Sequence, residues 1–170
     1  MTGAVTGGPR PPESLPVDSD VDLHVPQQRA ELRRAPWAVL GAVSVGGALG
    51  AVARYGLAVA VPDRPGGFPW ATFLTNVSGC LLLGVLMVLI TEVWPGRPLV
   101  RPFLGVGVFG GYTTFSTYTV QIQQLVAGGE PVTAALYLTG SLVAALAAVQ
   151  AGIAVARLTT RAARRAGQRR

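Results

Sequence analysis

From Ala35 to Ala156 only seven side chains carry formal charge, and most sit at the ends of long apolar runs: Arg54, Asp63, Arg64, Glu92, Arg97, Arg101 and Glu130. A soluble domain carries about a quarter of its residues charged; this chain has 13%, with 50% hydrophobic. Four apolar segments result, at about Pro36 to Val61, Phe68 to Val93, Leu99 to Val126 and Pro131 to Ala156. Each exceeds the roughly 20 residues a helix needs to cross a bilayer's hydrocarbon. Trp37, Trp70 and Trp94 fall at segment ends, where amphipathic rings settle at the headgroup level. Turn formers fill the connections: Pro62-Asp63-Arg64-Pro65-Gly66-Gly67, Pro95-Gly96 and Gly128-Gly129. The expected fold is all-α, an integral membrane protein with four transmembrane helices over residues 35–156.

The flanks differ. Residues 1–34 are rich in Pro, Gly and charge and bury too little apolar surface to offset chain entropy. A disordered arm is expected there. A signal peptide is not expected there, because Asp18, Asp20 and Asp22 stand where an apolar core is needed. Residues 157–170 hold six arginines, which suit a cytoplasmic tail meeting anionic lipid headgroups rather than nucleic acid. Four crossings put both termini on one side. That side then carries twelve arginines and the other only Arg64, so both termini are expected in the cytoplasm. Cys80 and His24 are the sole cysteine and histidine. They exclude an intrachain disulfide and argue against a histidine- or thiolate-based metal site. No nucleophile–base pair or nucleotide-binding motif is visible, so an enzyme is not expected.

The third apolar segment is interrupted. Phe109 to Thr119 contains Gly110-Gly111 and five serine and threonine hydroxyls. Non-helical backbone at membrane depth is tolerated only where protein buries it or a water-filled cavity adjoins it. A helix broken mid-membrane beside a pathway is therefore expected. Carbonyls freed at the break suit a cation, whereas the N–H groups of the following half-helix favour an anion. Small-residue pairs, Gly46/Gly50 and Gly107/Gly111, let helix backbones approach closely.

Other polar residues are spaced along helices. Thr72 and Asn76 lie four apart and share a face, flanked by Thr75 and Ser78. Asn76 serves either as glue between helices or as a pore-lining donor. Phe115 and Tyr118 are three apart; their ring edges can face an anion, but on spacing alone two ordinary core aromatics account for them better. Thr133, Tyr137 and Ser141 form one hydroxyl stripe. Arg54 lies about 26 Å along its helix from Trp37 at ~1.5 Å per residue, either snorkelling or placed at a vestibule. A lining of hydroxyls, amides and aromatic edges suits a small, strongly hydrated anion.

Three strings carry a resemblance: Gly46-Gly47-Ala48-Leu49-Gly50-Ala51-Val52-Ala53-Arg54-Tyr55, then Ala71-Thr72-Phe73-Leu74-Thr75-Asn76-Val77-Ser78-Gly79, then Gly110-Gly111-Tyr112-Thr113-Thr114-Phe115-Ser116-Thr117. In this order they resemble the CrcB/Fluc fluoride channels, over about Trp37 to Ala156. The resemblance implies a four-helix subunit in an antiparallel dimer with two fluoride pores. It implies a structural sodium ion (Na+) at the dimer centre, on backbone carbonyls that by position belong to Gly110 and Thr113. It implies that Asn76, Phe115, Tyr118, Tyr137 and Ser141 line or border the pore, with Thr114, Ser116 and Thr117 nearby. The implied role is a fluoride-specific channel in a bacterial plasma membrane that lowers cytoplasmic fluoride by passive export. Two positions depart from the pattern. Tyr118 stands where a second Phe is usual, and Gln121 where a Glu is common.

Family members that insert in both orientations need little arginine and lysine bias. The bias here argues for one orientation, and hence for a heterodimer with an oppositely oriented homologue. Two other classes compete. A small multidrug exporter needs a membrane-embedded carboxylate, for which Glu92 is the only candidate. A non-transporting membrane assembly subunit accounts for the glycines but not for hydroxyls on three helices.

Overall fold

The computed structural model describes residues 36–93, 97 and 99–167. The expected arm, Trp94 and the Pro95-Gly96 turn lie outside them. The described residues are helical and include no strand. Helix α1 spans Pro36–Ala60, α2 Trp70–Val88, α3 Gly110–Tyr112, α4 Ser116–Ala127 and α5 Pro131–Gly167. Leu89–Val93 extends α2 in π-helical form, and Arg101–Phe109 is a π-helical segment leading into α3. Pro102 sits in the first turn of that segment, where its missing N–H removes no helical bond.

Three helical stretches are long and apolar enough to cross a membrane: Trp37–Ala60, Trp70–Val93 and Pro131–Ala162, with mean hydropathies of 1.4, 2.3 and 1.9. The chain is a membrane protein, and its large exposed side chains agree. Leu49, Val52, Leu136, Val143 and Leu146 are all more than half exposed, which costs nothing where lipid is the solvent.

Small residues and backbone make the closest helix contacts, whereas α4 meets α5 through large side chains, with Leu125 and Tyr137 buried against Phe68, Phe73, Tyr118 and Ile122. A Cβ added at Gly84 would strike the Val149 carbonyl, and one at Gly152 the Leu81 carbonyl. Glycine on both helices thus presses α2 and α5 backbone to backbone. The contacts run in step, from Phe68 on Tyr137 through Gly84 on Val149 to the Glu92–Arg157 ion pair at 3.5 Å. The two helices therefore point the same way. The two expected glycine pairs meet each other. Gly46 packs on Gly107, Gly50 against the Val108 carbonyl, and Gly111 on Gly47. Helix α1 thus lies against the segment 101–112, also in the same direction.

Two connections close as their residues dictate. Gly67 N donates to the Arg64 carbonyl at 2.9 Å, with Pro65 and Gly66 between and Gly66 at φ +72°. That is a type II turn, whose third residue needs positive φ. At the end of α4, Gly129 takes φ +84° while Glu130 N donates to Leu125 O at 2.8 Å and Gly129 N to Val126 O at 3.2 Å. This Schellman closure satisfies the last carbonyls of α4, and α5 starts at Pro131.

The packing makes a contrast testable by thermal unfolding of the detergent-solubilised protein. Gly152→Val, forced against the Leu81 carbonyl, is expected to lose about 2 kcal/mol. Gly140→Ala, where an added Cβ meets nothing within 4 Å, is expected to be neutral or slightly stabilising.

Candidate functional site

The helical path is interrupted at Thr113, not at the glycines before it. Gly110 is α-helical, at φ −65°, ψ −37°, and the chain turns extended at Thr113, at φ −77°, ψ 161°. A helix resumes at Ser116. Gly110 has open space where a Cβ would stand, whereas Gly111 has none, being pressed on Gly47. The glycine pair, expected to permit the break, instead serves the contact with α1 through Gly111.

What holds the interruption is one amide. Asn76 Oδ1 accepts from Thr114 N at 2.9 Å, and Asn76 Nδ2 donates to Thr114 O at 2.9 Å. A side-chain amide has the shape of a peptide group, so it satisfies both backbone groups of Thr114 at once. This diverts the Thr114 N–H from Gly110 O, its α-helical acceptor. Three residues on, Thr117 N donates to Thr114 Oγ1 at 3.2 Å. Thr114 thereby caps α4, and Thr113 O loses its α-helical donor. The freed carbonyls thus include those of Gly110 and Thr113.

Nearby contacts fasten the strands of this junction. Thr113 Oγ1 donates to Phe109 O at 2.8 Å, and the Ser78 and Tyr112 hydroxyls pair at 2.9 Å. Gly79 leaves room for the Thr113 methyl. Successive pairs from Ser78 with Tyr112 to Asn76 with Thr114 run α2 against the interrupted helix in the opposite direction.

A cavity of about 440 Å³ opens beside the interruption. Asn76, Thr114, Phe115, Tyr118 and Ser141 lie on its wall, with Gly110 and Thr113. Ser141 is only 7% exposed, and its Oγ is buried without a hydrogen-bond partner. Such a group normally costs about 1–3 kcal/mol, and only a change of rotamer would turn its oxygen to the cavity. The sequence reading missed Cys80, which is also on the wall. Its place four residues after Asn76 put it on the same helix face.

Other expected site residues stand apart from this wall. Ser116 and Thr117 are exposed beside Thr114 and bonded to its hydroxyl at 3.4 and 3.1 Å. Tyr137 is fully buried behind Tyr118, with ring centroids 5.0 Å apart. Its hydroxyl donates to Gln121 Oε1 at 2.9 Å. Arg54 is half-buried on α1, also off the wall. The Tyr118 hydroxyl is committed as well, donating to Leu138 O at 2.7 Å. Toward Phe115, 5.9 Å away centroid to centroid, Tyr118 therefore presents a ring and not a free hydroxyl. Glu92, the only carboxylate considered for coupled export, is paired with Arg157 at the far end of α2.

A helical membrane chain whose interrupted, hydroxyl-bearing helix is clasped beside a polar-edged cavity belongs among small membrane proteins built around an internal site. The family model described as "CrcB-like protein, Camphor Resistance (CrcB)" matches residues 41–153, and the chain belongs to that family. A relative from Nocardia farcinica named "Fluoride-specific ion channel FluC 2" is 52% identical over 75% of this chain and 91% of its own length. One from Streptomyces avermitilis with the same name is 48% identical over 77% and 82%. A more distant one from Nitrobacter winogradskyi, "Fluoride-specific ion channel FluC", is 42% identical over 72% and 98%.

Removing the clasp strands two backbone groups of Thr114. Asn76→Ala is expected to cost about 3 kcal/mol in thermal or chemical unfolding. Tyr118→Phe loses a single bond to a carbonyl that has its own helical donor, and is expected to cost about 1 kcal/mol or less.

Proposed function

We propose that this chain is a fluoride-specific channel subunit that lowers cytoplasmic fluoride by passive export. Its likeness to relatives named for that activity supports the reading, and the Asn76 amide on the cavity wall carries it structurally. Fluoride is small and strongly hydrated, so a pathway must offer several donors where water is removed. Ser141 supplies one once its side chain turns to the cavity. Asn76 Nδ2 bears two hydrogens and spends one on Thr114, leaving another for the cavity. The edges of Phe115 and Tyr118 add positive partial charge without a fixed cation that would trap the ion. Among the described residues no carboxylate lies on this wall, whereas a proton-coupled exporter needs an acidic group in its path.

The arrangement in the membrane is part of the proposal. The segment from Arg101 to Ala127 is the third of four crossings, broken at Thr113 to Phe115, and both termini lie in the cytoplasm beneath the plasma membrane. Thr114 and Ser116 are partly or fully exposed and Phe115 is 79% exposed. A row of hydroxyls is a poor surface for lipid, and an antiparallel partner covers it. The Gly110 and Thr113 carbonyls, freed from helical donors, are hard oxygen ligands that fit a sodium ion. Two chains together bring four such oxygens, and the ion would join the two breaks without entering the fluoride path. The twelve-to-one arginine bias favours one orientation, and so a partner that is an oppositely oriented homologue. Relatives numbered FluC 2 and FluC 3 occur together in Streptomyces avermitilis.

Fluoride efflux from liposomes, read by electrode against a chloride control, tests the activity on the chain alone and with such a homologue. Asn76→Asp is expected to abolish flux by placing fixed negative charge at the cavity, and Ser141→Ala to reduce it about tenfold by removing a hydrogen bond worth ~1.4 kcal/mol. Full fluoride flux in Asn76→Asp removes that residue from the pathway. The orientation is tested separately, by cysteine labelling of Arg64→Cys in a Cys80→Ser background in intact cells. Labelling of nearly all copies from outside is expected. Equal inside and outside populations overturn the heterodimer.

A further inference from the structure

The loop between α1 and α2 reaches the aromatic wall by two routes. Asp63 sits in that loop. Its Oδ1 accepts from Ala71 N, in the first turn of α2, at 3.2 Å. Its Oδ2 accepts from Gln121 Nε2 on α4 at 3.3 Å. Gln121 Oε1 in turn accepts from the Tyr137 hydroxyl on α5. The second route is aromatic. Phe68 of the same loop stands edge-on to Tyr137, with centroids 5.2 Å apart and planes at 80°, and Tyr137 packs on Tyr118.

The order of donors in this chain is forced. A carboxylate only accepts, so Gln121 must turn its NH₂ toward Asp63 and its oxygen toward Tyr137. Tyr137 must then donate. Its hydrogen is thereby committed away from the cavity, and its ring is held between Phe68 and Tyr118. One charge in an outer loop thus fixes an amide, a phenol and a ring stack leading to Phe115.

We propose that Asp63 is a positioning residue for the pathway, its carboxylate orienting the Gln121 amide and, through it, the Tyr137 phenol. This rests on the channel reading above. It explains why an amide suffices at position 121: a glutamate would set two carboxylates against each other across the 3.3 Å contact, where like charges repel. It also predicts that the two side chains exchange. An asparagine at 63 can still accept from Ala71 N while donating to a glutamate at 121, which still accepts from Tyr137.

The test is a double-mutant cycle on the full-length protein, with fluoride efflux measured beside thermal melting in detergent. Q121E and D63N are each expected to lower flux about tenfold, and D63N/Q121E to recover to within about threefold of wild type, a coupling typical of groups in one network. Melting should show the same recovery, about 3 °C above the sum of the single effects. A double variant no better than that sum, or a Q121E protein that conducts and melts like wild type, overturns the assignment. Should Q121E fail to purify folded, recovery of folding in the double variant supports the relay and continued misfolding rejects it. Melting needs no transport. A wild-type chain that carries no fluoride, either alone or with an oppositely oriented homologue, therefore rejects the channel reading, while the melting cycle still decides whether Asp63 and Gln121 act as one relay.

Discussion

Backbone polar groups have no water to turn to inside a bilayer, and this chain meets that constraint at Thr114 with one side chain. The two hydrogen bonds from Asn76 let the main chain leave helical geometry without stranding its N–H and C=O. Much of the site follows from that bond pair. Because Asn76 takes the Thr114 N–H, the Gly110 carbonyl loses its helical donor. Because Thr114 is held in place, its hydroxyl receives Thr117 N and a new helix begins. The same substitution of side chain for backbone opens the cavity and frees the carbonyls beside it.

Close backbone contact supplies the rigidity that the clasp needs. Helices in lipid gain no hydrophobic drive toward one another, so their stability rests on dispersion and fit. Glycines 46, 47, 50, 107 and 111 bring α1 against the run into the interruption, and glycines 84 and 152 bring α2 against α5. Asn76 is carried on α2 and Ser141 on α5. A slip between those two helices would move the amide relative to the orphan hydroxyl, so the glycine contacts set the dimensions of the site.

Hydropathy made the three long helices legible, because lipid leaves little freedom to an apolar run of more than twenty residues. The Gly46/Gly50 and Gly107/Gly111 pairs marked close backbone approach without naming the partner, and Gly128-Gly129 marked the turn. Asn76 was recognisable as a costly polar residue, but spacing left open whether it bound another helix or faced a cavity. In the structure its amide clasps Thr114 and it stands on the cavity wall. The place of the interruption was harder to read. Gly110-Gly111 looks like a breaker, yet glycine is merely permissive, and the chain departs where a tertiary partner waits for it. Asp63 was hidden for the same reason. It stood out only as a turn residue, since its acceptors' partners lie eight and 58 residues away. Periodicity describes one helix at a time and carries no record of such contacts.

The last helix has a mechanical consequence. At 37 residues and ~1.5 Å each it is about 55 Å long, whereas the hydrocarbon layer is about 30 Å thick. A substantial part of it therefore stands clear of the oily layer, in one continuous piece with the stripe bearing Tyr137 and Ser141. Its arginine-bearing end is not a loose appendage but a lever rooted in the cavity wall. Torque or tilt applied there reaches the wall along the helix, and the Glu92–Arg157 ion pair is the brace against which that lever would turn.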